Sequence, residues 1–330
     1  MTNAKHSPSF LLGLIVVFAL MAIQLVHAAG EGVIYVTDTH NHRIQKFDLD
    51  GKYLGQFGKE AAKTSAGLRK CCLPGTGGYG WTDGAPGEFG HPHGVSVDHK
   101  GNIFVLDHRH HRVQKFDAKG KFLLQFGKTS GEVTGPWSKP GEIFHRPVDI
   151  AIDSKGNVFV ADTYHYRIQK FDASGKLLLK FGHGPWDAAT VSSGSSGGLP
   201  GLGTRLPTRE ERDKVKRGCK DTSKSYEAGL SGARLKAARK AISEDCEAWF
   251  GQPRGLFIDR SDNLYVADSG YNSIQKFDAS GKFLFDFGGP GTGDGQFNYH
   301  DSPTDVVVDS DGNIYATDDN SFRIQKFDRT

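Results

Sequence analysis

Histidines stand in short groups that could bind a metal ion or change charge near neutral pH. The chain has 14 histidines, and His93 lies in the segment His91-Pro92-His93-Gly94. A neutral imidazole is a common metal ligand, and its charge changes between about pH 5 and 8. The other grouped histidines follow aspartates in short polar segments: His40, His42, His108, His110, His111 and His165. These segments could form a metal-binding or pH-sensitive surface, or loops with a purely structural role.

Four charged residues flank short apolar segments in the same way that His93 flanks the segment Val95–Val97. They are Arg146, Asp149, Arg254 and Asp305. A mixture of guanidinium and carboxylate groups suits a small anionic or zwitterionic ligand, because each group can pair with one of opposite charge. Ion pairs between neighbouring structural units would use the same residues.

An aspartate followed five residues later by an arginine recurs along the chain. Aspartate commonly accepts hydrogen bonds from nearby backbone amides. We therefore expect the aspartates to fasten loops and the arginines to tie neighbouring units together. The aspartates are Asp38, Asp107, Asp162, Asp268 and Asp318, and the arginines that follow four of them are Arg43, Arg112, Arg167 and Arg323.

These residues belong to a repeat that predicts an all-β fold. Each full copy contains four short segments rich in β-branched and aromatic residues, separated by Asp/Gly turn sequences. Their alternation has a period of two, which predicts strands and excludes helical repeats. Four-stranded antiparallel units arranged around an axis are the blades of a β-propeller. The five copies are Val33–Gly58, Phe89–Gly127, Phe144–Gly182, Phe250–Gly288 and Phe297–Thr330.

The recurring pattern Asp-x-x-x-x-Arg-Ile-Gln-Lys-Phe-Asp, as in Asp38–Asp48, resembles the NHL repeat, here spelled Asn41-His42-Arg43. The resemblance implies an NHL-type β-propeller of four-stranded antiparallel blades over residues 29–330, apart from insertions. Five repeats are legible and the family often has six blades, so we expect five or six. A degenerate blade would lie in Lys59–Glu88 or His183–Trp249. The first copy lacks a leading strand and the last lacks a trailing strand.

The connectivity of such a blade predicts which face carries function. Successive loops alternate between the two faces of the disc, so the short turns after first and third strands share one face, the turn face. The loops after second strands and the connectors between blades share the other, the loop-bearing face. That face also receives the insertions 59–88, 128–143 and 183–249, the last mainly helical in pattern. Binding sites concentrate on loops of a rigid scaffold, so we expect function there.

His93 should lie near the propeller axis on the loop-bearing face. The segment His91–Gly94 is similar to the zinc-binding Pro-His segments of peptidyl-α-hydroxyglycine α-amidating lyases. Phe144–Asp149, followed by Asp162–Arg167, resembles that family's blade with a catalytic arginine, which implies that Arg167 binds a substrate carboxylate. Zinc or calcium is the candidate cofactor.

The chain departs from that family at the positions equivalent to His93. Later repeats hold Val148, Arg254 and Thr304 there. A centre with three histidines would therefore need imidazoles from elsewhere in the loops. The candidates are His145, His165 and His300.

The N-terminus predicts export. Lys5 and His6 precede the apolar stretch Phe10–Val26, and Val26-His27-Ala28 offers small residues to a signal peptidase. We expect residues 1–28 to be a signal peptide cut after Ala28; an uncleaved membrane anchor is the alternative. Both place the protein outside the cytoplasm, secreted or periplasmic. Four cysteines fit that compartment, and Cys219–Cys246 is the expected disulfide.

Two functions remain open from the sequence. The favoured one is a non-catalytic scaffold that binds an extracytoplasmic protein, peptide or glycan through the loop-bearing face. The alternative is a metal-dependent lyase with its site at the axis. RNA binding, known for intracellular NHL propellers, is not expected, because the net charge is only +3 from 41 basic and 38 acidic residues.

Overall fold

The computed structural model describes residues 23–28, 31–61, 84–127, 144–182, 248–298 and 301–328. The predicted disulfide, the insertion 128–143, His300 and most of the two other insertions lie outside these residues. Among the described residues, no helix has the length and apolar composition needed to cross a membrane.

The repeats fold into antiparallel sheets whose strands pair in chain order, as predicted. Blade 1 contains β1 (Ile23–Ala28), β2 (Glu31–Asp38), β3 (Arg43–Asp48) and β4 (Tyr53–Phe57). The short strands β5 (Lys59–Glu60) and β6 (Glu88–Phe89) pair in parallel between blades 1 and 2. Blade 2 contains β7 (Pro92–Val97), β8 (Ile103–Asp107), β9 (Arg112–Phe116) and β10 (Phe122–Phe126).

The remaining blades repeat this arrangement, so the molecule is an all-β propeller. Blade 3 contains β11 (Ile150–Ile152), β12 (Val158–Asp162), β13 (Arg167–Phe171) and β14 (Leu177–Phe181). Blade 4 contains β15 (Pro253–Ile258), β16 (Leu264–Asp268), β17 (Ser273–Phe277) and β18 (Phe283–Gly288). Blade 5 has three strands, β19 (Val306–Val308), β20 (Ile314–Asp318) and β21 (Arg323–Phe327).

The Asp/Gly sequences form the tight turns that join the strands. In the turn between β7 and β8, the Asp98 carboxylate accepts the backbone amides of Lys100 and Asn102, both at 2.9 Å. Gly101 follows with a φ of 79°, a conformation that favours glycine. The turn residues therefore fix the register of each hairpin locally.

Neighbouring blades are joined by four hydrophobic clusters, each built around a phenylalanine that precedes the next blade. A glycine with positive φ ends the trailing strand of the previous blade and lies against that ring. At Gly288 an added Cβ would lie 2.7 Å from the ring of Phe297. Glycine is therefore required for the close approach. The four pairs are Gly58 with Phe89, Gly127 with Phe144, Gly182 with Phe250 and Gly288 with Phe297.

The structure corrects two expectations, a degenerate blade in one of the insertions and a missing leading strand in blade 1. One cluster joins blade 1 to blade 2 and another joins blade 3 to blade 4. No degenerate blade therefore separates these pairs, although the insertions Lys59–Glu88 and His183–Trp249 connect them. Blade 1 also has a leading strand, because Ile23–Ala28 pairs with Glu31–Val36. Within the described ranges blade 5 has no trailing strand, as the sequence predicted.

Contacts between blades confirm how the loops divide between two faces. On the loop-bearing face, Thr39 Oγ1 after β2 donates to the carbonyl of Pro92 in the next connector at 2.8 Å. On the turn face, Ser154 Oγ donates to Asp262 Oδ2 at 2.7 Å, joining turns of blades 3 and 4. Lys46 Nζ likewise reaches the carbonyl of Ala118 in a turn of the next blade at 2.8 Å.

Candidate functional site

The aspartate that ends each second strand fixes the loop that follows it. Asp162 accepts hydrogen bonds from the His145 amide at 2.6 Å, Arg167 Nε at 2.7 Å and Gln169 Nε2 at 2.8 Å. His165 Nδ1 lies 2.9 Å from the same carboxylate. Burial acts to raise the pKa of Asp162, but these hydrogen bonds and the charges of His165 and Arg167 together lower it. The residue is therefore a buried, fully partnered anion.

Three of the other four aspartates likewise accept a backbone amide. In blades 2 to 5 the carboxylate also accepts an amide of the connector that leads into the same blade. These amides belong to Gly90, His145, Gly251 and Asn298. Asp38 instead binds side chains of its own blade, those of Asn41, Arg43 and Gln45.

In blades 2 and 5 the repeated arginine connects the loop aspartate to the incoming connector. Arg112 donates to Asp107 and to the carbonyl of Glu88, and Arg323 donates to Asp318 and to the carbonyl of Gln296. Arg167 is 8% exposed and pairs with Asp162 in the same way. The structure thus places the candidate catalytic arginine in a contact that recurs in other blades.

Imidazole rings from blades 1 to 3 line the loop-bearing face. His91, in the connector to blade 2, lies 5.4 Å from His40 and 5.1 Å from His42 between ring centroids. In blade 3, His145 lies 5.4 Å from His165 and 6.1 Å from His111 of blade 2. Loop histidines and connector histidines therefore form contacts across blade boundaries.

His93 and His108 form the closest imidazole contact, with parallel rings 4.2 Å apart between centroids. His108 Nδ1 lies 2.9 Å from the carbonyl of Pro147 in the next connector, which holds its ring in place. Burial lowers the pKa of His93 to about 3, and the neighbouring His108 adds to this effect. Burial also lowers the pKa of His108, so both rings are neutral at pH 7.

Burial also lowers the pKa of the other connector histidines. The pKa of His91 is about 4, with Arg109 as a second cause, and that of His111 is about 4, with His145 as a second cause. His145 also has a pKa of about 4, again through burial first and then through His165. His91, His111 and His145 are therefore neutral at pH 7 and able to accept or donate hydrogen bonds.

The structure brings Asp149 and Asp305 together at the inner ends of blades 3 and 5. Asp149 Oδ2 accepts a hydrogen bond from the amide of Leu256 at 2.9 Å. Asp305 packs against the preceding residue of that strand, since a Cβ added at Gly255 would lie 2.5 Å from Asp305 Oδ1. Burial raises the pKa of Asp149 to about 8, and repulsion by Asp305 contributes. Desolvation of the carboxylate raises the pKa of Asp305 to about 6, although the residue as a whole is exposed.

The two predicted ligand-binding arginines lie apart from this carboxylate pair. Arg254 pairs with Asp301, with Nη2 2.6 Å from Oδ1. Arg146 lies over the ring of Tyr164, 5.0 Å from its centroid. Tyr164 and Asp301 were not predicted, since nothing in the repeat pattern indicates which loop side chains meet across connectors.

The described residues do not fit a centre with three histidines. No group of three or more His, Cys, Asp or Glu side chains in this part of the chain is placed to hold a metal ion. His93 contacts the imidazole of His108, which precedes the β9 strand of the same blade. The sequence could indicate His108 only as one of several loop histidines.

Comparison with known proteins supports the repeat assignment. The model of the NHL repeat matches residues 28–47, 89–116, 144–171 and 301–327, which fall in blades 1, 2, 3 and 5. The chain is 30% identical over 172 residues to Protein brain tumor of Drosophila melanogaster, covering 50% of this chain and 13% of that protein.

Two further relatives are named as lyases. The chain is 39% identical over 95 residues to the probable peptidyl-α-hydroxyglycine α-amidating lyase pgal-1 of Caenorhabditis elegans, covering 28% of this chain and 26% of that protein. It is 37% identical over 95 residues to peptidyl-α-hydroxyglycine α-amidating lyase 1 of Drosophila melanogaster, covering 28% and 16%. The chain thus spans about a quarter or less of these relatives. The described blades form a β-propeller, and four of its five repeats match the model of the NHL repeat.

Proposed function

We propose that this propeller is an exported scaffold that binds a protein, peptide or glycan partner on its loop-bearing face. β-Propellers with NHL repeats commonly serve as interaction scaffolds. The observation that carries the proposal is the set of imidazole contacts that joins loops and connectors of blades 1 to 3. Loops held this rigidly can present a binding surface with little loss of conformational entropy.

The chemistry of the face favours a polar, weakly charged ligand. Its connector histidines are neutral at pH 7, since burial lowers their pKa values. Tyr164 is 41% exposed and lies beneath Arg146, an arrangement suited to stacking on a ring or a peptide plane. Hydrogen bonds and stacking, rather than net charge, would select the partner.

Site-specific photo-crosslinking tests this proposal. A benzoylphenylalanine at position 164 reports on the loop-bearing face, and one at position 119 reports on the turn face. We expect crosslinks to one extracytoplasmic partner from position 164, and weaker crosslinking when Arg146→Ala is added. Equal crosslinking from position 119, or no effect of Arg146→Ala, would contradict a site on the loop-bearing face.

The proposed export can be tested by asking whether the mature protein keeps strand β1. Cleavage after Ala28 would remove β1, so that the mature blade would begin at β2. An uncleaved N-terminal segment would keep β1 and hold the protein at the membrane. Intact mass spectrometry of the protein recovered from the extracytoplasmic fraction distinguishes the two forms, and recovery only from the cytoplasm would refute export.

A metal-dependent lyase is the second candidate function. It is supported by the similarity to the two lyases and by the burial of His93 against His108. The described residues do not supply a three-histidine centre, so no catalytic step is assigned. Stoichiometric zinc that is lost on His93→Ala, together with cleavage of an α-hydroxyglycine peptide, would establish this activity in place of a scaffold without catalysis.

A further inference from the structure

Lysines in the turns of blades 2 and 3 make one part of the turn face basic. Their side chains are all exposed, and within the described blades none of their ammonium groups forms an ion pair with a carboxylate. We call these turns, with their lysines, the basic surface. The lysines are Lys100, Lys119, Lys121, Lys155 and Lys176.

The aspartates of the same turns do not balance this charge. Asp98 and Asp153 are buried and already pair with Lys115 and Lys170 of the third strands, with Oδ2 3.8 and 3.1 Å from Nζ. The aspartates of the other two turns are partly buried, and each accepts two backbone amides of its own turn. Counting Lys115 and Lys170, seven lysines stand against four aspartates, an excess of three positive charges.

Contacts between the two blades hold these turns side by side. Lys115 Nζ donates to the carbonyl of Ala173 in a turn of blade 3 at 3.2 Å. A Cβ added at Gly156 would lie 3.8 Å from His99 Cε1, so the first turns of the two blades also adjoin. The insertions join strand ends on the opposite, loop-bearing face. The basic surface is therefore continuous and lies between blades that the structure describes.

The fold does not require lysine at these turn positions. The place of Lys100 and Lys155 is taken by Ser261 in blade 4 and by Asp311 in blade 5. Those turns nevertheless form with the same backbone hydrogen bonds, from the third and fifth turn residues to the first aspartate. The charge of the basic surface is therefore a property of two blades and is not part of the repeat.

Exposed leucines adjoin the lysines where the basic surface meets the rim of the disc. Leu123 and Leu178, the second residues of β10 and β14, are 45% and 49% exposed. Each follows an exposed lysine, Lys121 or Lys176, by two residues. Residues two apart along a strand lie on the same side of the sheet, so each blade presents an ammonium group and an apolar side chain together.

We propose that the basic surface, with Leu123 and Leu178, binds the headgroup layer of an anionic membrane. The ammonium groups would pair with lipid phosphates, and the leucines would reach the edge of the acyl chains. A soluble polyanion offers no apolar layer to the leucines, so their position favours a bilayer. The loop-bearing face would point away from the membrane, and the partner site proposed there can fail without this one.

Co-sedimentation of the full chain with lipid vesicles tests the proposal. Vesicles of phosphatidylcholine are compared with vesicles in which part of this lipid is replaced by phosphatidylglycerol. Every variant carries the same N-terminus, so any contribution of that segment is common to all. We expect binding about 10-fold stronger to the anionic vesicles, lost when NaCl is raised to about 500 mM. Equal binding to both kinds of vesicle would overturn the proposal.

Two double variants of equal charge locate the contact. Lys119→Gln with Lys155→Gln should weaken binding to anionic vesicles about 10-fold or more. Lys59→Gln with Lys180→Gln removes the same charge from exposed positions nearer the loop-bearing face and should leave binding almost unchanged. Circular dichroism checks that all variants remain folded. Equal losses in the two pairs would mean that only the net charge of the chain matters, and would overturn the assignment.

The leucines distinguish a bilayer from a soluble polyanion. Leu123→Gln with Leu178→Gln should weaken vesicle binding about 5-fold and leave retention on heparin unchanged. Leu54→Gln with Leu284→Gln, at rim leucines 49% and 43% exposed in blades 1 and 4, is the matched control and should not alter vesicle binding. Retention on heparin without vesicle binding, or no effect of the Leu123 and Leu178 pair, would assign the surface to a polyanion instead of a membrane.

Discussion

Asp162 shows how a single repeated residue organises a blade. Its buried carboxylate accepts an amide of the incoming connector and two side chains of the next strand. Because the same spacing recurs in five copies, this role could be predicted from the sequence. The contact between His93 and His108 could not, since it depends on Pro147 of the next blade, which no local pattern encodes.

Removing the Asp162 carboxylate should be strongly destabilising. Asp162→Ala leaves Arg167 buried without its anion, and breaking one side of a buried pair costs about 3–5 kcal/mol. Asp117→Ala, in an exposed turn, is the matched control and should cost about 1 kcal/mol or less. Urea unfolding followed by circular dichroism measures both. Similar losses would mean that the buried network adds nothing beyond an ordinary turn.

Asp149 should make the protein less stable as pH rises. Its pKa is about 8 in the folded state, whereas an unfolded aspartate has a pKa of about 3.9. Between these values the folded state holds the proton and the unfolded state releases it, so stability falls as pH increases. The slope is at most about 1.4 kcal/mol per pH unit for one group.

Asp149→Asn removes this titration and provides the test. The variant should gain stability relative to the natural chain between about pH 4 and pH 8, with the gain growing as pH rises. Chemical unfolding at several pH values measures the difference. Parallel curves for the two proteins would show that Asp149 is ionised in the folded state.

At the scale of elements, the trailing-strand glycines combine a backbone and a packing requirement. Gly127 has a φ of 78°, and an added Cβ would clash with the ring of Phe144. Gly101 has a φ of 79°, but the nearest atom to its added Cβ is Ala118 Cβ at 3.8 Å. The two positions therefore separate steric clash from backbone strain.

Substitution by alanine at these two positions should give different losses. Gly101→Ala should cost about 1 kcal/mol, from positive φ alone. Gly127→Ala should cost about 1–3 kcal/mol more, because Phe144 must move within a filled core. Thermal unfolding compares the variants. Equal losses would mean that the inter-blade contact can relax freely.

Strands and turns were predictable because their signals are local and repeated. β1 was not, since Ile23–Ala28 belongs to an apolar stretch that has no turn or repeat signature and is typical of a leader. The direct packing of blade 3 on blade 4 was also not predictable, because 65 residues outside the described ranges separate Gly182 from Ala248. Sequence distance gives no measure of spatial distance in such a case.

At the scale of the whole molecule, the alternation of connections in an antiparallel blade is enough to predict the two faces. The inter-blade contacts of Thr39 with Pro92 and of Ser154 with Asp262 fall on opposite faces as required. The four predicted ligand-binding residues fall into two groups. Asp149 and Asp305 meet because they occupy equivalent positions at the inner ends of two blades, whereas the orientations of Arg146 and Arg254 depend on individual loops.

Identical strands in different blades allow a direct measurement of how stability varies around the molecule. The segment Ile-Gln-Lys-Phe occurs in β3, β13, β17 and β21, so its intrinsic amide exchange is nearly the same in each. β13 has a strand on each side, whereas β21 has one neighbouring strand among the described residues. Edge amides open locally at lower free energy than central ones.

Hydrogen exchange by NMR should therefore show at least 10-fold faster exchange in β21 than in β13. β17 should resemble β13, since it too has a strand on each side. Equal protection of β13 and β21 would mean that a segment outside the described residues covers β21 in solution.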